Sequence, residues 1–221
     1  YSWKAEPLLH EAIQEAEEYL VINKKYLEKE NATAEMLAKK IEKDVMEQIR
    51  EGNFRMFLQP KVSISTGKTV GAEALIRLYQ PNRGYILPFK FISVLEQHNE
   101  VHLIDLFILS KAFQFQKTAK DAGKEIVPIS VNFSKNTLMH PKLMEHIQRD
   151  CDTYGMPEGM IRIEITETIS NMDHMEVRTI ASALHTMGFS ISMDDFGTQY
   201  SNMAVLTQFE FDTVKIDRSM I

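Results

Sequence analysis

Glu73, Glu164, Asp194 and Asp195 stand where short apolar runs reach their C-terminal ends, and Asn132 and Lys215 occupy the same place in two further runs. Carboxylates gathered at apolar strand ends repel one another and are costly to desolvate, a conflict that divalent cations resolve. An all-oxygen donor set, carboxylates with one amide from Asn132, suits Mg2+ or Mn2+, whereas zinc prefers His and Cys. No HExxH or paired-cysteine motif competes. Neighbouring side chains within a strand point to opposite faces, but at a strand's end Asp194 and Asp195 can both turn toward one centre and serve two metal ions. Two metals about 3.5–4 Å apart are a recurring solution for phosphodiester hydrolysis. Arg77 and Lys215 would then hold phosphate oxygens.

Any one of these acids is equally well a strand-end turn or a helix cap, so the weight rests on the four together. Glu167, three residues after Glu164, is turned away from it by strand alternation and is expected to organise the following loop. Asp195-Phe196-Gly197 matches the kinase metal-binding triplet, but no Gly-rich loop or HRD motif accompanies it, and a kinase is excluded. The seven histidines show no metal spacing and receive no role; the 13 methionines and Cys151 read as packing material.

The elements that must position these residues follow from hydrophobic periodicity. Strands are predicted over 55–64, 69–78, 126–133, 161–166, 190–194 and 213–217. Helices are predicted over 88–98, 103–123, 141–154 and 174–187, with a short one near 201–207. Strands alternating with helices imply a mostly parallel sheet covered by helices, either closed as a barrel or open and doubly wound. A barrel brings the C-terminal ends of many strands to one face, so five successive strands with polar ends favour the barrel. Residues 1–42 differ in texture: Leu9, Ile13, Ala16 and Leu20, then Leu37 and Ile41, recur at helical spacing in a charged background, as in a helical lead-in.

The composition is that of a globular protein, with 44% hydrophobic residues, enough for a sizeable core. With 25 Lys and Arg against 31 Asp and Glu, a net charge of -6 gives no electrostatic case for wrapping duplex nucleic acid, though a small phosphorylated ligand fits. A single cysteine fits a reducing, cytoplasmic compartment. No apolar run approaches the roughly 18–20 residues that span a bilayer, so a soluble chain is expected.

From about Lys43 onward the chain resembles the EAL domain, a bacterial cyclic-di-GMP phosphodiesterase module. LQP at Leu58 to Pro60, GAEALIR at Gly71 to Arg77 and VNFS at Val131 to Ser134 carry the likeness, followed in the family's order by EITET from Glu164, MDDFGTQYS from Met193 and VKIDRSMI from Val214. The resemblance implies a TIM-type (β/α)8 barrel with an antiparallel first strand, hydrolysing cyclic di-GMP to linear pGpG with two Mg2+ or Mn2+ ions. On this likeness Glu73, Asn132, Glu164, Asp194 and Asp195 match metal-ligand positions, and Lys215 matches the catalytic lysine, with Glu73 and Asp195 also counted in the catalytic set. Gln59, Leu75 and Arg77 match ligand-contacting positions, and Glu167 matches the glutamate that steadies the loop after Asp195. The family further implies a homodimer and an upstream GGDEF or sensory domain, with residues 1–42 as its helical connector or remnant.

Three departures bear on activity. The chain given stops at Ile221, and the resemblance leads one to expect two more strands, with AEGVE-like and QG motifs, to complete the domain 43–221. Gln199 stands where the metal-organising loop usually has Gly, and Leu78 where Trp is usual. A catalytically inactive cyclic-di-GMP receptor or regulatory module is therefore the rival expectation to the enzyme.

Overall fold

Alternating apolar and polar residues fold here into strands with an apolar outer face and a polar inner one, in a computed structural model that describes residues 45–155, 159–166, 169, 172–197 and 210–220. The described residues belong to one unit, Val45–Ile221. It opens with α1 (Val45–Arg50), followed by β1 (Phe54–Val62), β2 (Thr69–Gln80) and β3 (Gly84–Ile86). Next come α2 (Ile92–Gln97), α3 (Val101–Asp121), β4 (Ile129–Phe133), α4 (Lys135–Leu138) and α5 (Leu143–Tyr154). The series ends with β5 (Ile161–Thr166), α6 (His174–Thr186), β6 (Ser190–Phe196) and β7 (Thr213–Ile216). The helical lead-in 1–42, the short helix near 201–207, Glu167 and Gln199 lie outside the described residues.

All seven strands join one sheet in the order β1-β2-β4-β5-β6-β7, with β3 on β2. β1 runs antiparallel to β2, and β2, β4, β5, β6 and β7 are parallel. The outer face carries Ile129, Val131 and Phe133, then Ile161, Ile163 and Ile165, then Ile191 and Met193, all buried. Helix α3 packs on this layer with Ile108, Leu109, Ala112 and Phe113, the apolar stripe of an amphipathic helix. Each of the Ile, Leu and Phe side chains contributes about 1.5–3 kcal/mol on burial. Gln116, also buried on α3, donates from Nε2 to the carbonyls of Val127 (2.6 Å) and Met160 (3.2 Å) and so satisfies two backbone groups below the sheet.

The sheet must be strongly curved. Adjacent strands lie about 4.8 Å apart, so β2 and β7, four steps away from each other, would be about 19 Å apart in a flat sheet. Yet Lys215 Nζ on β7 lies 3.2 Å from Glu73 Oε2 on β2. Lys61 on β1 likewise reaches Glu164 on β5, three steps away, at 2.5 Å. This is the TIM-like barrel architecture with a reversed first strand, present among the described residues as an open arc with β1 and β7 at its edges.

Several boundaries differ from those expected. The strand predicted over 126–133 begins at Ile129, because Pro128 has no N–H to donate and the Val127 carbonyl is taken by Gln116. The helix predicted over 88–98 is a 3-10 turn, Pro88–Lys90, followed by α2; between them Phe91 leaves helical geometry (φ -136°) and buries its ring against Phe54, centroids 5.6 Å apart. The short strand β3 and the one-turn helix α4 were not foreseen. The latter is capped by Ser134, whose hydroxyl accepts the Thr137 N–H. Helix α6 starts as Asp173 accepts from the amides of Met175 and Glu176. No helix among the described residues is long and apolar enough to cross a membrane.

Ile163 lies at the centre of this packing, fully buried on the middle strand β5. Ile163→Ala is expected to cost about 2–5 kcal/mol, read as a lowered midpoint in urea denaturation with an unchanged slope.

Candidate functional site

The inner face of the arc is polar because β4, β5, β6 and β7 alternate in the same phase. Ser130 and Asn132, Arg162 and Glu164, Ser192 and Asp194, and Thr213 and Lys215 occupy the positions between the outward apolar residues. Curvature brings their ends together. One carboxylate oxygen each from Glu73, Glu164 and Asp194 lies within 4.8 Å of the other two. At that separation each pair of unit charges repels by about 3–4 kcal/mol at an effective dielectric near 20. Such a cluster requires cations.

Two lysines meet part of this need. Lys215 Nζ donates to Glu164 Oε2 at 2.6 Å, Asp194 Oδ2 at 2.7 Å and Glu73 Oε2 at 3.2 Å. Lys61 Nζ donates to the other oxygen of Glu164 and to Ser130 Oγ at 2.7 Å. Burial alone would raise the Glu164 carboxyl, but the hydrogen bonds from Lys215 and Lys61 bring it below its ordinary value. Burial would lower the Lys215 ammonium, and the hydrogen bonds to Asp194 and Glu164 with the nearby Glu73 charge hold it well above its ordinary value instead. Three carboxylates against two ammonium groups leave the cluster acidic.

Asn132 joins through Nδ2, which donates to Glu73 Oε1 at 3.0 Å. Gln59 is the cross-strand partner of Glu73 and lines the same cleft, about 330 Å3, with Lys61, Arg162, Glu164 and Lys215. Leu75 and Arg77 follow Glu73 on the same face of β2 by strand alternation, two and four residues further on. Arg77 bends back to donate to the Ile76 carbonyl at 2.7 Å.

Asp195 behaves differently from its neighbour. The β6–β7 register shifts between Met193 and Phe196, and Asp195 sits in the left-handed region (φ 54°) at that irregularity. Its amide donates to Asp194 Oδ1 at 2.8 Å, and its carboxylate is outside the three-acid group. Burial, with the charges of Asp194 and Asp217, raises its carboxyl above the ordinary range. Two residues on, Gly197 takes a backbone conformation (φ 103°) that L side chains rarely adopt, and a Cβ there would also displace the Met220 side chain, so this turn favours glycine.

Lys61, Ser130 and Asp105 were not singled out from the sequence. Lys61 was signalled by its place two residues after Gln59, on the inward phase of β1. Asp105, buried on α3, pins the backbone that follows Asn132: its Oδ2 accepts the Ser134 N–H at 2.9 Å and the Thr137 hydroxyl at 2.5 Å. Burial outweighs these two bonds and pushes its carboxyl up to about 6.

The donor chemistry fits a hard divalent cation. Glu73, Glu164 and Asp194 offer carboxylate oxygens and Asn132 an amide, with no thiol or imidazole among them.

Comparison with known proteins agrees with this geometry. A family profile described as "EAL domain" matches residues 42–221. Protein sll1895 of Synechocystis sp. is 33% identical over 171 residues, covering 77% of this chain and 25% of its own length. Cyclic di-GMP phosphodiesterase NbdA of Pseudomonas aeruginosa is 27% identical over 181 residues, 82% of this chain and 23% of its own length. The chain thus spans about a quarter of these curated relatives. A solved structure, "PaMucR Phosphodiesterase, c-di-GMP complex", superposes with a TM-score of 0.75 at 28% identity, over 81% of this chain and 73% of that one.

Two outcomes follow from the charges. Glu164 has a folded pKa below its ordinary 4.5, so its contribution to stability is present above that pH and lost as pH falls through the depressed value. Glu164→Gln is therefore expected to flatten the acid limb of a stability-versus-pH curve measured by urea denaturation. Asp105 has the opposite sign, because its folded value lies above the ordinary 3.8 and stability falls as pH rises from there to about 6. Asp105→Asn keeps an acceptor and removes that penalty, so at neutral pH it should be at least as stable as the parent. Asp105→Leu should lose about 1–3 kcal/mol in the same measurement by leaving the Ser134 and Thr137 donors unpaired.

Proposed function

This chain belongs to the EAL domain family, and we propose that it hydrolyses cyclic di-GMP to linear pGpG at the cluster of Glu73, Asn132, Glu164 and Asp194. The observation that carries the reading is the convergence of three carboxylates from β2, β5 and β6 around one ammonium, in a cleft large enough for part of a dinucleotide. These four residues, with Asp195, would hold two Mg2+ or Mn2+ ions, which when bound supply an activated water and charge stabilisation at phosphorus.

The chain's own groups do the rest. Hydrolysis to pGpG adds water at phosphorus, breaks the P–O3′ bond and leaves the phosphate on the 5′ side. Lys215 places a fixed positive charge where negative charge grows on the non-bridging oxygens. Asp195, next to Asp194 at the end of β6, is the carboxylate assigned to take the proton of the attacking water. Gln59, Leu75 and Arg77 line the approach along β1 and β2, with Arg77 as the phosphate-binding group. Glu167 steadies the loop after Asp195 in this reading. A cytoplasmic homodimer coupled to an upstream GGDEF or sensory domain completes the proposal, with residues 1–42 as the connector to the domain 43–221.

A receptor that binds without turnover is the second reading. It is favoured by Lys61 and Lys215, which already neutralise two of the three clustered charges without a metal.

The test is conversion of cyclic di-GMP to pGpG by the protein containing this chain, followed chromatographically with Mg2+ or Mn2+, with binding measured in parallel. Turnover is expected, and Asp194→Asn should lower it by about two orders of magnitude or more, since loss of a group that merely supports a metal ligand already costs 10–100-fold. Binding without turnover selects the receptor, and turnover that survives Asp194→Asn overturns the assignment of the cluster.

A further inference from the structure

Beyond the pair Gln59 and Glu73, the inner face of β1, β2 and β3 changes from acidic to aromatic. The register sets Phe57 opposite Leu75, Arg55 opposite Arg77 and Tyr79 opposite Tyr85. Strand alternation puts Arg55 and Phe57 on the face of Gln59, and Leu75, Arg77 and Tyr79 on the face of Glu73.

The side chains on this strip are held in fixed relation. The Tyr85 ring meets Phe57 edge-on, centroids 4.9 Å apart at 81°, and meets Tyr79 at 5.3 Å. The Arg55 guanidinium lies 4.8 Å from the Tyr79 centroid and donates to the Tyr85 hydroxyl at 3.1 Å. This order is not achieved by burial: Phe57 and Tyr85 remain 42% and 46% exposed. Contiguous aromatic rings oriented by their neighbours and left open to solvent form a binding surface rather than a core.

Its position relative to the acids identifies the ligand chemistry. Phe57 is one inward step from Gln59 along β1, about 7 Å, which is the scale of a nucleotide from its phosphate to its own base. Bases stack on aromatic faces whatever their sequence, and arginine adds cation–π attraction.

We propose that the Phe57 ring, held edge-on by Tyr85, which Arg55 and Tyr79 orient in turn, is the platform on which one nucleobase of the cyclic dinucleotide stacks while its phosphodiester lies at the carboxylate cluster. The inference rests on the reading that the site takes a cyclic dinucleotide. It adds a base-holding surface made by β1, β2 and β3 together.

Substitutions at Phe57, in the whole protein, test it by KM and kcat for cyclic di-GMP and by its Kd in equilibrium binding. Phe57→Leu keeps apolar bulk but removes the π face, and it is expected to raise KM and Kd about tenfold with kcat retained, the loss a base–aromatic stack would give. Phe57→Trp should hold the parent values. A ring that served only packing would give the reverse pattern, with Phe57→Leu behaving as the parent and Phe57→Trp disruptive, and that result overturns the platform. So does a KM and Kd unchanged within twofold in Phe57→Leu and Tyr85→Leu alike. A parent protein that neither hydrolyses nor binds cyclic di-GMP overturns the functional reading itself, an outcome distinct from normal binding that ignores the aromatic substitutions.

Discussion

The mutual repulsion of Glu73, Glu164 and Asp194 is the constraint around which the arc is organised. Three strands deliver negative charge to one point, and the sheet tolerates this because Lys215 arrives from a fourth strand with its ammonium among the three acids. Lys61 enters from the opposite edge and takes the remaining oxygen of Glu164. The two lysines therefore tie β1 and β7 to the middle strand β5 across the concave side, where no backbone ladder runs. Charge balance and sheet curvature are one problem here, solved by the same side chains.

Much of the arrangement was legible in the residues. Runs such as Ile161 to Ile165, with a charge at every second place, announce a strand whose two faces meet different surroundings. The five parallel strands and the placement of their polar ends follow from that pattern. Glu73, Glu164, Asp194 and Lys215 meet as the pattern suggests. What escaped detection has identifiable reasons. Lys61 acquires its partners only through the curl of the sheet, which brings β1 over β5, and no one-dimensional spacing encodes a contact 103 residues away. β3 is three residues long, below the length at which alternation is readable. The separation of Asp195 from Asp194 depends on a shift in register and a left-handed backbone, which composition at that point did not announce.

Asp105 shows how the helical layer takes part in the chemistry of the inner face. It lies on α3, outside the sheet, yet it fixes the Ser134 amide two residues after Asn132, and thereby the direction in which the chain leaves β4. Asp212 does similar work beside β6, accepting from the Ile191 amide at 2.6 Å and meeting His185 of α6 at 3.0 Å. Each joins a helix to the end of a strand by an oxygen acceptor, so the strand ends are braced from behind while the inner face stays open for a ligand.

The opposed chemistry of the two faces also governs how the chain finds its fold. Were β5 to slip by one residue against its neighbours, Glu164 and Arg162 would enter the layer filled by Leu109, Phe113 and Ile147, and Ile163 would stand between two lysines. Both halves of that exchange are costly, so a misaligned strand is penalised twice and has reason to dissociate before it is consolidated. The charged residues thus act as registration marks during assembly, selecting the one alignment in which they meet, before any ligand has been encountered.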